Sequence, residues 1–202
     1  MEQKKTPKPY LSWSQLALLE KSEYEYVKVY IYGEGIKAHP LLKLGKAFAE
    51  AVELEQEELP LDFEIAKMLI PRFEKKEFTL TGIVDDVPIL GVLDGFDEKD
   101  LVIHEIKTGT FEWTQDYVDK FGQLTFYSML VYLNYGKLPS KIFLYWIPSR
   151  YEMGEFVLTS DIKVFETKRT MDDLLDMGVR IKRAWKRIQE LYDEERRSGN
   201  IS

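Results

Sequence analysis

Three charged residues are placed in or just after two apolar, β-branched segments of the chain. Asp94 lies in the segment 87–96 and Glu105 lies in the segment 101–106. Lys107 is the first residue after the second segment. Side chains alternate along a strand, so Glu105 and Lys107 share one face. A short turn between the two strands would place Asp94 opposite Glu105. The spacing therefore predicts two carboxylates and an ammonium group at one end of a sheet.

Two converging carboxylates form a hard oxygen site that suits Mg²⁺ or Mn²⁺. Asp94 and Glu105 are the predicted ligands, and the backbone carbonyl of Ile106 could complete the coordination shell. Such a metal polarises a phosphodiester and lowers the pKa of a water molecule. Lys107 can orient that water, help to deprotonate it, or stabilise charge on the phosphate. The residue types thus predict metal-dependent hydrolysis.

A glutamine and a tyrosine follow at helical spacing. Gln123 and Tyr127 are four positions apart in a segment, 116–135, whose apolar residues recur with a helical period. Residues at this spacing are neighbours on a helix surface. The pair could hold Lys107 or contact a phosphate. Helix packing is the alternative for both, since Tyr127 continues the apolar face.

These residues together resemble the PD-(D/E)XK nucleases of the RecB type, a branch that includes CRISPR-associated exonucleases and many phage exonucleases. In that resemblance Asp94 is the motif aspartate, Glu105 and Lys107 are the Glu-x-Lys, and Gln123 and Tyr127 are the Gln-x-x-x-Tyr. The resemblance runs from about residue 11, where Leu-Ser-Trp-Ser is typical of the first helix, to about residue 147. It implies a restriction-endonuclease-like α/β core and cleavage of DNA that depends on Mg²⁺ or Mn²⁺.

The chain departs from this family at two places. The branch often carries Gly-x-x-x-His on its second helix, with the histidine as a metal ligand, but Gly45 is followed here by Ala49. Glu53, one turn later, or Glu50 could supply a carboxylate instead; otherwise metal affinity falls. Members with an iron–sulfur cluster carry four cysteines, and this chain has no cysteine at all, with Ser22 near the first position. No iron–sulfur cluster is therefore expected.

Other interpretations of the same residues carry weight. Glu-x-Lys also occurs at positions 2–4, 74–76 and 166–168, so the triplet alone is weak evidence for a site. Asp94 could instead be a turn residue. Glu50 and Glu53 could belong to a solvated helix face, and His39 and His104 are expected to be structural. Basic residues on the last helix favour a solvated face over a DNA groove; they are Arg180, Lys182, Arg183, Lys186 and Arg187. Aromatic residues after the catalytic strand favour core packing over base stacking; they are Trp113, Tyr117 and Phe121.

Composition limits the classes of protein that remain. The 202 residues carry a net charge of −7, which argues against coating nucleic acid by bulk charge but allows a local basic groove. No apolar run is long enough to span a membrane, and residues 1–9 contain no hydrophobic signal segment. The absence of cysteine excludes disulfides and thiolate zinc sites. We expect a cytoplasmic protein that does not contact membranes.

The periodicity of apolar residues predicts one mixed α/β domain. Helices are predicted from Ser12 onward and over 41–59, 63–70, 116–135 and about 164–197. Strands are predicted over 78–84, 87–96, 101–106, 141–147 and 151–158, the last two on either side of Pro148-Ser-Arg. A single domain over 1–202 is expected, with its core over about 11–160 and a long C-terminal helix. This order favours a central mixed sheet flanked by helices.

The sequence as a whole favours a metal-dependent deoxyribonuclease, with exonuclease action in recombination, repair, or phage and mobile-element DNA processing. Its partner is then DNA, single- or double-stranded, with a homo-oligomer or a recombination or replication protein as further partners to consider. Two alternatives stay open. Ala49 motivates a degenerate nuclease fold that binds DNA or a protein without cutting it. A ribonuclease or repair endonuclease would differ only in substrate.

Overall fold

The computed structural model describes residues 8–34, 39–53 and 59–201. Within them, a six-stranded mixed sheet is flanked by helices, as predicted. The strands are β1 (Lys75–Val84), β2 (Val87–Asp97), β3 (Val102–Gly109), β4 (Lys141–Glu152), β5 (Glu155–Leu158) and β6 (Lys163–Thr167). The helices are α1 (Trp13–Lys21), α2 (Glu23–Tyr26), α3 (Pro40–Glu53), α4 (Leu61–Leu69), α5 (Gln115–Lys120), α6 (Gly122–Tyr135) and α7 (Met171–Arg197). A π-helical turn, Val27–Ile31, continues α2.

The sheet combines a meander with one parallel crossover. Strands β1, β2 and β3 pair antiparallel in chain order, and β3 then pairs parallel with β4. A parallel pair needs a long connection, which α5 and α6 provide. Strand β4 is long enough to pair antiparallel with β6 along its first half and with β5 along its second half. The meander places the ends of β2 and β3, where the site residues lie, side by side.

The turn between β1 and β2 fixes the alignment of these two strands. Asp85 and Asp86 both have positive φ, 45° and 67°, between the pair Val84↔Val87. A two-residue turn with both residues in this region matches the twist of a hairpin, and aspartate tolerates it better than most residues. The register that follows runs from Val84↔Val87 to Lys75↔Phe96 and is interrupted at Glu77, whose φ is 44°.

Two hydrophobic clusters cover the two faces of the sheet. The larger one packs α1, α6 and α7 against β1–β4, with fully buried residues such as Leu93, Phe126 and Ile181. The smaller one packs α3 and α4 against β3–β5, around Phe48 and Ile147. None of the helices in the described ranges is long and apolar enough to cross a membrane.

The C-terminal helix begins later than predicted, and this corrects the expected start near residue 164. Val164 and Phe165 belong to β6, where they pair with Tyr145 and Leu144 of β4. The helix starts only after Thr170, whose hydroxyl accepts the N–H of Asp173 while the Asp173 carboxylate accepts the N–H of Thr170. This capping box is a strong start signal that an apolar count does not detect.

Three further boundaries differ from the expected ones. Pro148 lies inside β4, beside the last pair of β3, and the turn falls instead at Met153-Gly154, both with positive φ. The helix predicted over 116–135 is broken at Phe121, whose ψ of 110° is extended. The predicted first helix ends at Lys21 and restarts at Glu23. The second ends at Glu53 in the described residues, and positions 54–58 of its predicted range lie outside them.

Candidate active site

The carboxylate of Asp94 binds the main chain of the neighbouring strand. Pairing between β2 and β3 stops at Gly95↔His104, one step before Asp94 would face Glu105. There the Oδ2 atom of Asp94 accepts the N–H of Ile106 at 2.7 Å, in place of a ladder bond. The strands therefore separate at this point, and the side chain of Asp94 fills the gap between them.

Glu105 and Lys107 form a close ion pair on the same face of β3. The distance from Lys107 Nζ to Glu105 Oε1 is 2.5 Å, and the Glu105 side chain is 1% exposed. The other oxygen, Oε2, is buried and has no hydrogen-bond partner. A buried carboxylate oxygen without a partner is costly, so it is found where a ligand completes the site. Asp94, Glu105 and Lys107 are thus brought together as predicted.

Burial and like charge both disfavour ionisation of the carboxylates. Burial, followed by the charge of Asp94, raises the pKa of Glu105 to about 8, although Lys107 opposes this. Burial also raises the pKa of Asp94. For Lys107, burial lowers the pKa, but the charges of Glu105 and Asp94 outweigh it and the net pKa is raised. A cation bound between the carboxylates would relieve this repulsion.

A cavity of about 250 Å³ opens over these residues, between α3 and the sheet. Asp94, Ile106 and Lys107 line it from the sheet, and Gly45 and Ala49 line it from α3. The position that holds histidine in the nucleases that the sequence resembles therefore faces the cavity, but alanine supplies no ligand there. A small solute can reach Lys107 through this opening, since the lysine side chain is 27% exposed.

Glu77 is a carboxylate of this site that the motif analysis missed. It lies on β1 between the pairs Lys76↔Gly95 and Phe78↔Leu93, which places it opposite Asp94. It lines the same cavity, and its charge contributes to the raised pKa of Glu105. The signal was present in the sequence, because counting back from a two-residue turn at 85–86 pairs 77 with 94.

The acidic residues predicted on α3 are placed differently from one another. Glu50 is exposed and forms an ion pair with Lys46 at 3.6 Å; Lys46 lines the cavity, whereas Glu50 itself does not. Glu53 ends the helix, and its side chain lies outside the described residues. Across residues 8–34, 39–53 and 59–201, no three histidine, cysteine or acidic side chains are close enough to hold a metal together. The described site thus contains two adjacent carboxylates, those of Asp94 and Glu105, and Glu77 is a further carboxylate in the same cavity lining.

Gln123 and Tyr127 contact each other on α6, beside the carboxylates. Gln123 Nε2 donates to the hydroxyl of Tyr127 at 2.8 Å. Tyr127 is buried over Gly91 of β2, where a Cβ atom would lie 2.9 Å from the ring. Burial and the charge of Glu105 raise the pKa of Tyr127. The hydroxyl therefore stays protonated near the site and can serve as a donor.

Arg169 positions the start of α6, and no motif predicted it. Its guanidinium is buried, donates to the Thr125 hydroxyl at 2.8 Å, and donates to the carbonyls of Val118 and Phe121. These two carbonyls lie at the break between α5 and α6. Arg169 thereby fixes the direction in which α6 presents Gln123.

The remaining candidates have structural partners. His104 is buried, within hydrogen-bond distance of Asp97 at 2.9 Å and of the Tyr145 hydroxyl at 3.0 Å. On α7, Arg180 and Arg187 bind Glu20 and Glu23 through two nitrogen atoms each. Because these arginines are already paired, the basic stripe of α7 behaves as a solvated, ion-paired face.

Comparison with solved structures supports the fold. A protein from Eubacterium rectale with the name "Putative exonuclease" superposes with a TM-score of 0.61 at 16% identity, over 93% of this chain and 82% of that one. The protein SSO0001 superposes with a TM-score of 0.54 at 16% identity, over 89% of this chain and 76% of that one. At such identities the likeness shows a shared fold. No family model and no curated protein matches the chain.

Proposed function

We propose that this chain is a metal-dependent deoxyribonuclease of the PD-(D/E)XK superfamily, RecB type, with exonuclease action. The observation that carries the proposal is the pairing of Lys107 with one oxygen of Glu105 while the other oxygen is buried without a partner. The fold shared with two solved structures, one of which is named a putative exonuclease, supports it. Mg²⁺ or Mn²⁺ is the proposed metal, without an iron–sulfur cluster.

The residues present fit such a metal. Asp94 and Glu105 are the proposed side-chain ligands, with the carbonyl of Ile106, and Glu53 or Glu77 as the acidic residues that could add to them. A bound divalent cation would supply Lewis acidity toward the phosphodiester and lower the pKa of the attacking water. The metal would also compensate the repulsion between the two buried carboxylates.

The chain's own groups then act on the substrate. Lys107 would donate a hydrogen bond to a phosphate oxygen or to the attacking water, and its raised pKa and its place in the cavity lining support this role. Glu105 orients that ammonium through its Oε1 atom. Gln123 and Tyr127 form a donor pair beside the site and hold the substrate in position.

End-labelled linear DNA and covalently closed circular DNA test the proposal, each in Mn²⁺, Mg²⁺ and EDTA. We expect the linear DNA to be degraded with either metal and spared in EDTA, while the circle survives. Lys107→Ala should abolish the reaction, and Lys141→Ala, an exposed lysine on β4, should not. A folded protein that leaves both DNA forms intact in every metal would overturn the proposal.

A binding module is the second candidate, because Ala49 faces the cavity where a histidine ligand is expected. Titration with Mn²⁺ separates the candidates: a catalytic protein binds the metal and loses this binding in Asp94→Ala. A module binds DNA or a protein without needing the metal. Matched DNA and RNA strands in the cleavage assay distinguish a deoxyribonuclease from a ribonuclease. Proposed settings remain DNA recombination, repair or phage replication in the cytoplasm, alone, as a homo-oligomer or with a replication protein.

A further inference from the structure

Four aromatic side chains pack into one cluster on the loop that leaves β3, on α5 and on the residue after α5, and Trp113 contacts the other three rings. We call this cluster the aromatic ladder; its members are Phe111, Trp113, Tyr117 and Phe121. Trp113 lies 4.8 Å from Phe121 and 4.9 Å from Tyr117 between ring centroids. Phe111 lies 5.1 Å from Tyr117, and Tyr117 stacks on Phe121 at 5.9 Å. These spacings are in the range of favourable ring contacts.

One end of the ladder touches the candidate active site. The ammonium of Lys107 lies 5.7 Å from the centroid of the Phe121 ring. Phe111 follows Lys107 by four residues, so the main chain alone keeps the two within about 14 Å. The ladder and Lys107 are therefore in contact through the Phe121 ring.

The other end of the ladder is open to solvent. Phe111 is 59% exposed and Tyr117 is 43% exposed, whereas Trp113 is 8% exposed. Core packing therefore explains Trp113, as expected, but not the two outer rings. Large aromatic rings held in place by neighbours while facing solvent are typical of binding surfaces.

The charged groups around the ladder are paired. Lys120 binds Asp116 at 2.6 Å, and Lys163 binds Glu112 at 3.0 Å. These two lysines are engaged by neighbouring carboxylates, so a ligand at the rings is held by ring contacts while Lys107 is left for its phosphate. Unpaired nucleobases present flat faces that suit such ring contacts.

We propose that the aromatic ladder stacks the unpaired bases of single-stranded DNA, beside the phosphate that Lys107 contacts. The inference rests on the proposed function and specifies its substrate as a single-stranded end. Bases within a duplex are already stacked and cannot occupy the ladder. Stacking is tolerant of sequence because every base has a flat face.

Binding measured without cleavage tests this inference. In EDTA, the fluorescence anisotropy of a labelled oligothymidine reports binding, and an abasic strand with the same number of phosphates reports the contribution of charge. We expect the oligothymidine to bind at least about fivefold more tightly than the abasic strand. Phe111→Ala and Tyr117→Ala should each weaken oligothymidine binding by at least about fivefold, with little effect on the abasic strand.

Matched variants control for general effects on the surface. Tyr151 is 65% exposed and packs edge-on against Phe156, far along β4, so Tyr151→Ala should leave binding unchanged. Phe111→Tyr keeps a ring and should bind oligothymidine as the wild type does. Phe111→Leu keeps apolar area without a ring and should bind as weakly as Phe111→Ala. Equal affinity for thymidine and abasic strands, or unchanged binding in both alanine variants, would overturn the inference.

The design separates this inference from the proposed function. Cleavage in Mn²⁺ with stacking absent would support the nuclease and reject the ladder as its single-strand site. Stacking without cleavage in any metal would retain the ladder and reject the nuclease. A second copy of this chain is the other ligand that the ladder could bind, and sedimentation of the wild-type protein and of Phe111→Ala tests for it. Self-association that is lost in the variant would overturn the inference in favour of this second copy.

Discussion

Gly45 of α3 and Thr108 of β3 approach so closely that a Cβ atom at Gly45 would lie 2.8 Å from Thr108 Oγ1. Helix α3 can approach β3 this closely only where it has no side chain. One helical turn later, Ala49 lines the cavity beside Asp94 and Lys107. The contact thus sets which face of α3 is turned toward the site.

A histidine at position 49 should strengthen metal binding. In Ala49→His, the imidazole would enter the cavity beside the carboxylates and could add a nitrogen ligand. We expect Mn²⁺ affinity, measured by calorimetry, to rise by roughly tenfold, about 1.4 kcal/mol. Ala47→His, on the exposed face of the same helix, is the control. Equal affinities in the two variants would show that position 49 does not reach the metal.

Removing the charge of Glu77 should weaken metal binding. Glu77 stands opposite Asp94 and adds negative potential at Glu105, which attracts a cation. In Glu77→Gln, which keeps the size of the side chain, we expect Mn²⁺ affinity to fall several-fold, by about 1 kcal/mol. Glu155→Gln, exposed on β5, should bind as the wild type does. An unchanged affinity in Glu77→Gln would remove this residue from the site.

Arg169→Lys should destabilise the fold by about 2–3 kcal/mol. Lysine cannot reach the Thr125 hydroxyl and the carbonyls of Val118 and Phe121 together, so buried acceptors would lose their donor. Urea unfolding measures the change. Arg150→Lys, at an exposed ion pair, should stay within about 0.5 kcal/mol of the wild type. If Arg169→Lys also lowered the free energy of unfolding by no more than about 0.5 kcal/mol, water would have to replace the guanidinium as the donor.

Asp173→Asn should reduce stability at neutral pH and matter less in acid. The N–H of Thr170, and then its hydroxyl, lower the pKa of Asp173 in the folded chain. A lowered folded pKa gives stability that is complete above the unfolded pKa, near 3.9, and is lost as the pH falls through the folded value. We expect about 1 kcal/mol at pH 7. Unfolding followed from pH 7 down to about pH 2 should show the difference vanish.

The control for this prediction is Asp172→Asn, an exposed aspartate in the same turn. It carries the same charge near the helix start but stands outside the capping box. A pH dependence equal in both variants would indicate interaction with the helix dipole rather than the hydrogen bonds of the cap.

Alternation and spacing sufficed to predict which residues of β2 and β3 meet. Glu105 and Lys107 share a face because a strand has a period of two. The antiparallel pairing of β2 with β3 brings Asp94 close to them, and this pairing follows from the order of the strands alone. The central mixed sheet flanked by helices followed from the order of elements and is confirmed. Local periodicity was enough for these features because neighbouring segments of chain form them.

Features that depend on distant residues were harder to predict. Phe121 breaks a segment of continuous helical periodicity, and Arg169, far along the chain, binds its carbonyl. Pro148 was expected in a turn, yet a strand accepts it beside the end of β3. Leu175 and Val179 continue the apolar pattern of α7 but are exposed, 65% and 62%. Contacts with residues far along the chain determine the structure at such positions, and local secondary-structure propensity contains no information about these contacts.

The turn at Asp85-Asp86 makes the site sensitive to chain length at a distance. One residue inserted there would shift every pair of the hairpin and turn Glu77 to the opposite side relative to Asp94. The effect would appear roughly 25 Å from the insertion, at 3.4 Å per residue. Substitutions that tolerate positive φ at both positions leave the alignment intact, whereas a change of length that shifts the register does not. The number of residues in this turn therefore constrains a site that the turn itself never touches.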